Sequence, residues 1–472
     1  MTILSADRAV TGTAKAFAVL NPADESVIAA VADHGPDDAD RAVAAASEAA
    51  GAWAARPARE RAAVLLRAFD IMMQRQRELA DLISRENGKS HADAMGEVAY
   101  AAEYFRWYAE EAVRVRGELF DNPAGTSKVL VSHEPIGVCV LVTPWNFPAA
   151  MATRKIGPAL AVGCTAILKP AAETPLTALA IAEILAEAGL PEGVLTVLTT
   201  RSASAVVDRL LSHDSVRMLS FTGSTEVGRH LLERASHRVL RTAMELGGNA
   251  PFLVLRDADL DAALEGAMIA KMRNGGQACT AANRFFVHES VVERFASELA
   301  TRMGALTVGD AADASVDVGP LINEAGRRKV QELVDDAVAR GARVLTGGST
   351  PDGAGYFYPP TVLVDVPRDA RILHEEVFGP VAPIAAFSTE EDAIGVANDT
   401  IHGLVSYLYT EDLRRGLALA ARLEAGMVAL NRGLVSDPAA PFGGVKESGL
   451  GREGSTEGLH EYLETKYVAT NW

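Results

Sequence analysis

Val138-Cys139-Val140-Leu141-Val142, running straight into Thr143-Pro144-Trp145-Asn146-Phe147-Pro148, is the stretch that decides the fold. Its first five residues are apolar and mostly β-branched with no alternation, the pattern of a strand buried on both faces of a parallel sheet. The next six carry two prolines that frame Trp-Asn-Phe. They fall where the carboxyl end of such a strand meets the ligand crevice of an open α/β sheet. Downstream, the pattern predicts a helix over 154–162, a strand over 165–168, a helix over 176–188 and a strand over 193–198. A helix over 203–211, a strand over 217–221 and a helix opening near Thr225 follow. Strand–helix alternation of this kind argues for a doubly wound α/β domain.

Upstream, residues 36–116 read as helices. Asp37 and Asp38 supply a cap, an apolar face runs through Leu65, Leu66, Phe69, Met72 and Met73, and Gly88 supplies a stop. Residues 127–135 alternate as an exposed strand. A second α/β cycle begins after Gly247-Gly248, with strands at 251–255 and 284–288 and helices at 260–272 and 291–303. Further units span 328–339, 343–345, 392–397 and 427–431. Residues 460–472 alternate as a terminal strand with no partner nearby in sequence, available to another subunit.

The chain has 472 residues, 49% hydrophobic and 23% charged, enough for two or three domains with their own cores. Its net charge of −17 disfavours nucleic-acid or anionic-membrane partners, so an anionic ligand needs locally placed cations or backbone N–H groups. Three cysteines cannot make a disulfide framework and suit a reducing compartment. The opening seven residues lack a basic start and a sustained apolar run, and the longest nearly apolar stretch, 157–168, is too short to span a bilayer. The expectation is a soluble, cytoplasmic protein. No histidine or cysteine spacing suits a metal, and none is expected.

Cys139 and Cys164 fall in apolar strand runs, where a thiol is usually a small hydrophobe. Cys279 follows Gly275-Gly276-Gln277-Ala278, where no apolar stripe explains it; alone, it is as readily an incidental loop thiol as a nucleophile. Glu245, before Leu246-Gly247-Gly248, is an acid that burial in a cleft would suit to general-base work. Asn146 can offer its amide to a developing oxyanion. Phe221-Thr222-Gly223-Ser224 before a helix can meet a phosphate, and Lys169-Pro170 puts a cation at a neighbouring strand end.

Taken together, these motifs resemble the aldehyde dehydrogenase family across essentially the whole chain. Thr143–Pro148, Lys169-Pro170, Phe221–Ser224, Glu245–Gly248, Gly276–Cys279, Glu375–Pro380 and Pro441–Gly444 occur in the family's order. The resemblance implies two doubly wound α/β domains plus a small β oligomerisation arm. The cofactor-binding domain would comprise 1–117 and 134–247, the catalytic domain 248–446, and the arm 118–133 and 447–472. It implies Cys279 as nucleophile, Glu245 as general base for thioester hydrolysis, and Asn146 as oxyanion donor. Thr143, Trp145, Asn146, Lys169, Ala172, Gly223, Ser224, Leu246, Glu376 and Phe378 would contact a nicotinamide cofactor.

Within the family the chain is most similar to succinate-semialdehyde dehydrogenases, which implies Arg154, Arg273 and Ser436 as the residues that hold a substrate carboxylate. Ala172 stands where NAD-preferring relatives often carry Glu, which favours NADP while leaving NAD open. Thr199-Thr200-Arg201 departs from a glycine-containing turn and offers a cation toward a 2′-phosphate. Ala281 removes the second cysteine found in some relatives, and Arg432 adds a cation beside the substrate loop. A homodimer or homotetramer is implied. Glutarate semialdehyde or a simple aliphatic aldehyde is the alternative substrate. A non-redox cysteine acyl-hydrolase or a catalytically silent homologue is the rival reading.

Overall fold

A computed structural model of the chain describes residues 15–471, so the opening seven residues and Trp472 lie outside the described residues. The run at Val138–Val142 is a fully buried strand in the middle of a six-stranded sheet. The strands lie in the order Gly449–Leu450, Arg241–Glu245, Val216–Thr222, Val138–Val142, Thr165–Lys169, Leu195–Val197. All pairings are parallel except that of the Gly449–Leu450 edge. The chain winds from Val138–Val142 to Thr165–Lys169 on one side, then returns to place Val216–Thr222 on the other. The carboxyl end of Val138–Val142 is therefore a switch point, where crossovers on opposite sides open a crevice.

The helix after this strand spans Pro148–Val162, opening six residues before the expected start. Pro148 sits in its first turn, where a fixed φ and a missing N–H suit a helix start. Helices Pro36–Ala54, Ala58–Gln74, Gln76–Asn87 and His91–Ala112 pack against this domain in a continuous apolar core with Leu65, Tyr104, Leu141 and Ile156. As expected, Asp38 accepts the Gly35 N–H at 2.8 Å. Gly88 ends its helix in the left-handed region, with φ +89°.

A seven-stranded sheet builds the second core. Its order is Arg343–Thr346, Thr361–Val364, Val381–Phe387, Ala282–His288, Ala250–Val254, Val405–Tyr409, Met427–Leu430, parallel apart from the first pair. The strands at Thr361–Val364, Val381–Phe387 and Val405–Tyr409 were not anticipated. Val381–Phe387 hides its character because Pro383, paired in register with Leu363, lies in a central strand, a position that usually argues against one.

The terminal strand finds a partner within the same chain. Leu463–Thr470 pairs antiparallel with Lys128–Pro135 of the same chain, from Leu463 opposite Pro135 to Thr470 opposite Lys128. Glu118–Asp121 adds the third strand of this small sheet. The two strands lie more than three hundred residues apart in sequence, as the Lys466–Glu134 contact across the sheet shows. Gly449–Leu450, grouped with the arm by sequence, instead borders Glu245 in the six-stranded sheet. Among the described residues, no helix is long and apolar enough to cross a membrane.

Candidate active site

A cavity of about 280 Å³ opens at the switch point. Its walls bring together Trp145, Asn146, Gly223, Ser224, Glu245, Leu246, Cys279, Glu376 and Phe378, drawn from five separate motifs in the sequence. Thr143, Lys169 and Ala172 do not line it. Ala172 instead lines a second cavity with Glu173 and Arg201, and Ile322 borders both.

Cys279 stands on the loop after the short 3-10 turn Arg273–Gly276. Asn274 and Gly275 adopt left-handed φ there, at +51° and +58°, and a Cβ on Gly276 would lie 2.2 Å from the Gly379 carbonyl. Burial pushes the Cys279 thiol up to about 12, opposed by the Arg154 charge and reinforced by Glu376 and Glu245. The Cys279 sulfur is therefore held as a protonated thiol. Cys139 and Cys164, by contrast, are fully buried among strands, as their apolar setting led us to expect.

Glu245 ends the strand Arg241–Glu245 with only 4% of its surface exposed, and neither carboxyl oxygen has a hydrogen-bond partner. Burial, then the charge of Glu453, pushes its pKa well above the usual carboxylate range, against the pull of Arg154 and Lys155. Glu453 moves the opposite way. Burial opposes its ionisation, but ion pairs to Arg154 and Lys155, each at 2.5 Å, overcome that and keep it charged. Two neighbouring acids are thus pushed apart, one neutral at rest and one ionised.

Asn146 donates one amide hydrogen to the Gln277 carbonyl at 3.1 Å, which turns the group toward the Cys279 loop and leaves its second hydrogen for an oxyanion. Trp145 meets Phe378 edge to face at 5.4 Å, forming an aromatic wall. Glu376 accepts the Gly248 N–H at 3.3 Å, and burial raises it to about 7.

The Gly223-Ser224 turn differs from the reading of it as an array of free donors. The Gly223 N–H is spent on the Glu245 carbonyl at 3.1 Å, and Ser224 Oγ caps its own helix by accepting the Val227 N–H. What remains for a phosphate is the Ser224 hydroxyl proton and the first turn of Thr225–Ser236. Thr222 Oγ1, buried on the cavity wall, has no protein partner. An orphaned hydroxyl, an aromatic wall, an acid and a helix N-terminus around one thiol form a donor set that fits a nicotinamide dinucleotide.

The three residues read as a carboxylate site lie off the cavity wall. Arg273 Nη1 donates to Ser436 Oγ at 3.2 Å, so these two do meet. Arg154 is 2% exposed, pairs with Glu453, and lies over Phe442 at 4.0 Å, while its Nε has no hydrogen-bond partner. The guanidinium of Arg273 lies 5.6 Å from the Tyr100 ring, that of Arg154 5.9 Å from the Tyr104 ring, and the two tyrosine hydroxyls touch at 2.6 Å.

Sequence reasoning missed several groups here. Lys329 lines the cavity and draws down the Glu376 pKa, yet lay unremarked in a run of surface charges. Ser448 Oγ donates to the Gly247 carbonyl at 2.7 Å while its own carbonyl accepts the Leu246 N–H, bracketing the turn after Glu245. Asn87 and Lys89, read only as neighbours of a helix stop, reach the Trp145 and Asn146 carbonyls.

Comparison with known proteins agrees with this geometry. The model of the aldehyde dehydrogenase family matches residues 9–468. A succinate-semialdehyde dehydrogenase of Paenarthrobacter nicotinovorans is 54% identical over 94% of this chain and 98% of its own length. A glutarate-semialdehyde dehydrogenase of Pseudomonas putida is 49% identical over 95% of this chain and 93% of its own. Among solved structures, an NADP-dependent enzyme of E. coli superposes with a TM-score of 0.96 at 48% identity, covering 97% of this chain and 95% of that one. A thiol, an acid and an amide donor gathered at one crevice, in a chain matched nearly end to end, place this protein in the aldehyde dehydrogenase family.

Proposed function

We propose that the protein oxidises succinate semialdehyde to succinate, through a thiohemiacetal and then a thioester on Cys279. The observation that carries this reading is the convergence of Cys279, Glu245 and Asn146 on one cavity. Cys279 gives its proton to solvent water, its sulfur bonds the aldehyde carbon as the C=O π bond opens, and the carbonyl oxygen becomes an oxyanion facing the Asn146 amide. A nicotinamide cofactor held in this cavity would supply the acceptor for the hydride released from this carbon. Glu245, once deprotonated, takes a proton from water, whose oxygen attacks the thioester carbonyl. The C–S bond then breaks, the proton held by Glu245 passes to the departing sulfur, and the carboxylic acid and the free Cys279 thiol are the products. Glu376, Phe378, Trp145, Leu246, Gly223 and Ser224 would hold the cofactor in this cavity, with Thr143 and Lys169 behind the neighbouring strand ends.

A carboxylated aldehyde is supported by Arg154, Arg273 and Ser436, and by the names of the similar enzymes. Glutarate semialdehyde is the second reading, favoured by the Pseudomonas putida relative. NADP is favoured over NAD because Ala172 and Arg201 line the same cavity, while the charge of Glu173 is offset by Lys169. For the small sheet, exposed Leu119, Phe120, Leu130, Tyr467 and Val468 support an arm for a homodimer or homotetramer. The free cysteines suit a cytoplasmic setting. The test is nicotinamide reduction with aldehyde and NADP or NAD, alongside Cys279→Ala. Abolished turnover in the variant supports the reading; appreciable turnover without the thiol overturns it.

A further inference from the structure

We propose that the buried Lys89–Glu97 pair is a positioning device for the oxyanion amide, a role that rests on the reading of Asn146 above. Lys89 follows the helix stop at Gly88, and its side chain has no solvent exposure. Its ammonium donates to the Asn146 carbonyl at 2.7 Å and to Glu97 Oε2 at 2.5 Å. The other carboxyl oxygen of Glu97 accepts the N–H groups of Ala149 and Ala150, at 2.8 and 3.3 Å. These are first-turn donors of Pro148–Val162, whose flanking residue Phe147 has no polar side chain to cap them. Glu97 therefore caps that helix from another element, and Lys89 ties the cap to the peptide just before it.

The same ammonium lies 3.8 Å from the centre of the Phe147 ring, and the Arg273 guanidinium lies 4.6 Å from it. One aromatic ring thus contacts both the cation that fixes Asn146 and the cation read as a carboxylate ligand. Asn274 Nδ2 completes the clamp by donating to both the Asn146 and Gln277 carbonyls, at 2.8 and 3.2 Å. Three side chains from two regions far apart in sequence, Lys89, Glu97 and Asn274, hold the main chain that presents the Asn146 amide to the thiol loop. A buried charge pair is costly unless its geometry is well satisfied, and here every oxygen of Glu97 is engaged by the segment that carries Asn146 or by Lys89 itself. Lys89 and Glu97 touch no reacting atom; they act through Asn146.

The test compares Lys89→Met, which keeps the stem but removes charge and donors, with Lys89→Met/Glu97→Gln, which also removes the stranded carboxylate. A misplaced catalytic group of this kind lowers kcat about 10- to 100-fold. That loss is expected equally with succinate semialdehyde and butanal. The rate of Cys279 alkylation by iodoacetamide should stay unchanged, since it does not use the Asn146 amide. The double variant should regain thermal stability without regaining kcat. A double variant that recovers kcat along with stability, or a folded Lys89→Met enzyme with wild-type kcat, overturns the proposal. Asn146→Ala separates the two levels: if it retains wild-type kcat, the oxyanion reading itself fails, whereas if it loses kcat while both Lys89 variants keep theirs, only the positioning role fails.

Discussion

Arg154 and Glu453 form a buried ion pair at 2.5 Å, and the same carboxylate takes Lys155 on its other oxygen. Arg154 therefore does not wait in the site as a bare cation. Its charge is balanced before substrate arrives, and an incoming carboxylate would share it. This arrangement spares the protein an uncompensated buried guanidinium, which would cost several kcal/mol.

Truncating Arg154 should consequently do two things. Arg154→Ala should raise KM for succinate semialdehyde about 10- to 100-fold, the value of a charge-assisted hydrogen bond, and leave KM for butanal little changed. It should also lower Tm, because Glu453 keeps only Lys155. Equal KM changes for both aldehydes would remove Arg154 from the carboxylate site.

The raised pKa of Cys279 makes a kinetic prediction. With the thiol near 12, its thiolate fraction rises about tenfold per pH unit through the neutral range. Alkylation of the cofactor-free enzyme by iodoacetamide should follow that slope from pH 7 to 9. A plateau near pH 8 would show a thiol activated before cofactor binds.

Glu245→Gln should slow thioester hydrolysis more than hydride transfer. Rapid mixing with NADP and aldehyde should then show a burst of reduced nicotinamide approaching one per site, followed by slow turnover. Parallel loss of burst and steady state would contradict the general-base role.

Glu376 provides a stability test with a definite sign. Its carboxyl is raised from an ordinary 4.5 to about 7, so the folded state holds a proton more tightly than the unfolded chain. That contribution is complete below the unfolded value and lost as pH rises through about 7. Glu376→Gln, which keeps an oxygen for the Gly248 N–H, should raise Tm at pH 8 relative to wild type and change it little at pH 5. It should also weaken cofactor binding. An unchanged Tm difference across that range would refute the assignment.

How far the sequence reveals this protein differs from one feature to the next. Val138–Val142 is legible because a doubly buried strand admits only apolar residues, and its helix 260–272 is recovered with its bounds intact because Asp259 caps it by accepting the Asp261 and Ala262 N–H groups. Val381–Phe387 is illegible because Pro383 contradicts local propensity and only tertiary pairing overrules it. The same division holds in the site. Cys279, Glu245 and Asn146 announce themselves by unusual neighbours. The Lys89–Glu97 pair and the Arg154–Glu453 pair do not, since nothing local marks a charge whose partner arrives from another helix or from three hundred residues away.

The most direct test of the central claim is the ratio of kcat/KM for succinate semialdehyde to that for butanal, with NADP saturating. Two arginines and a hydroxyl engaging a distal carboxylate should favour succinate semialdehyde by about 100-fold or more. A ratio near one, or one favouring butanal, would leave an aldehyde dehydrogenase whose Arg154, Arg273 and Ser436 serve the fold and not the substrate.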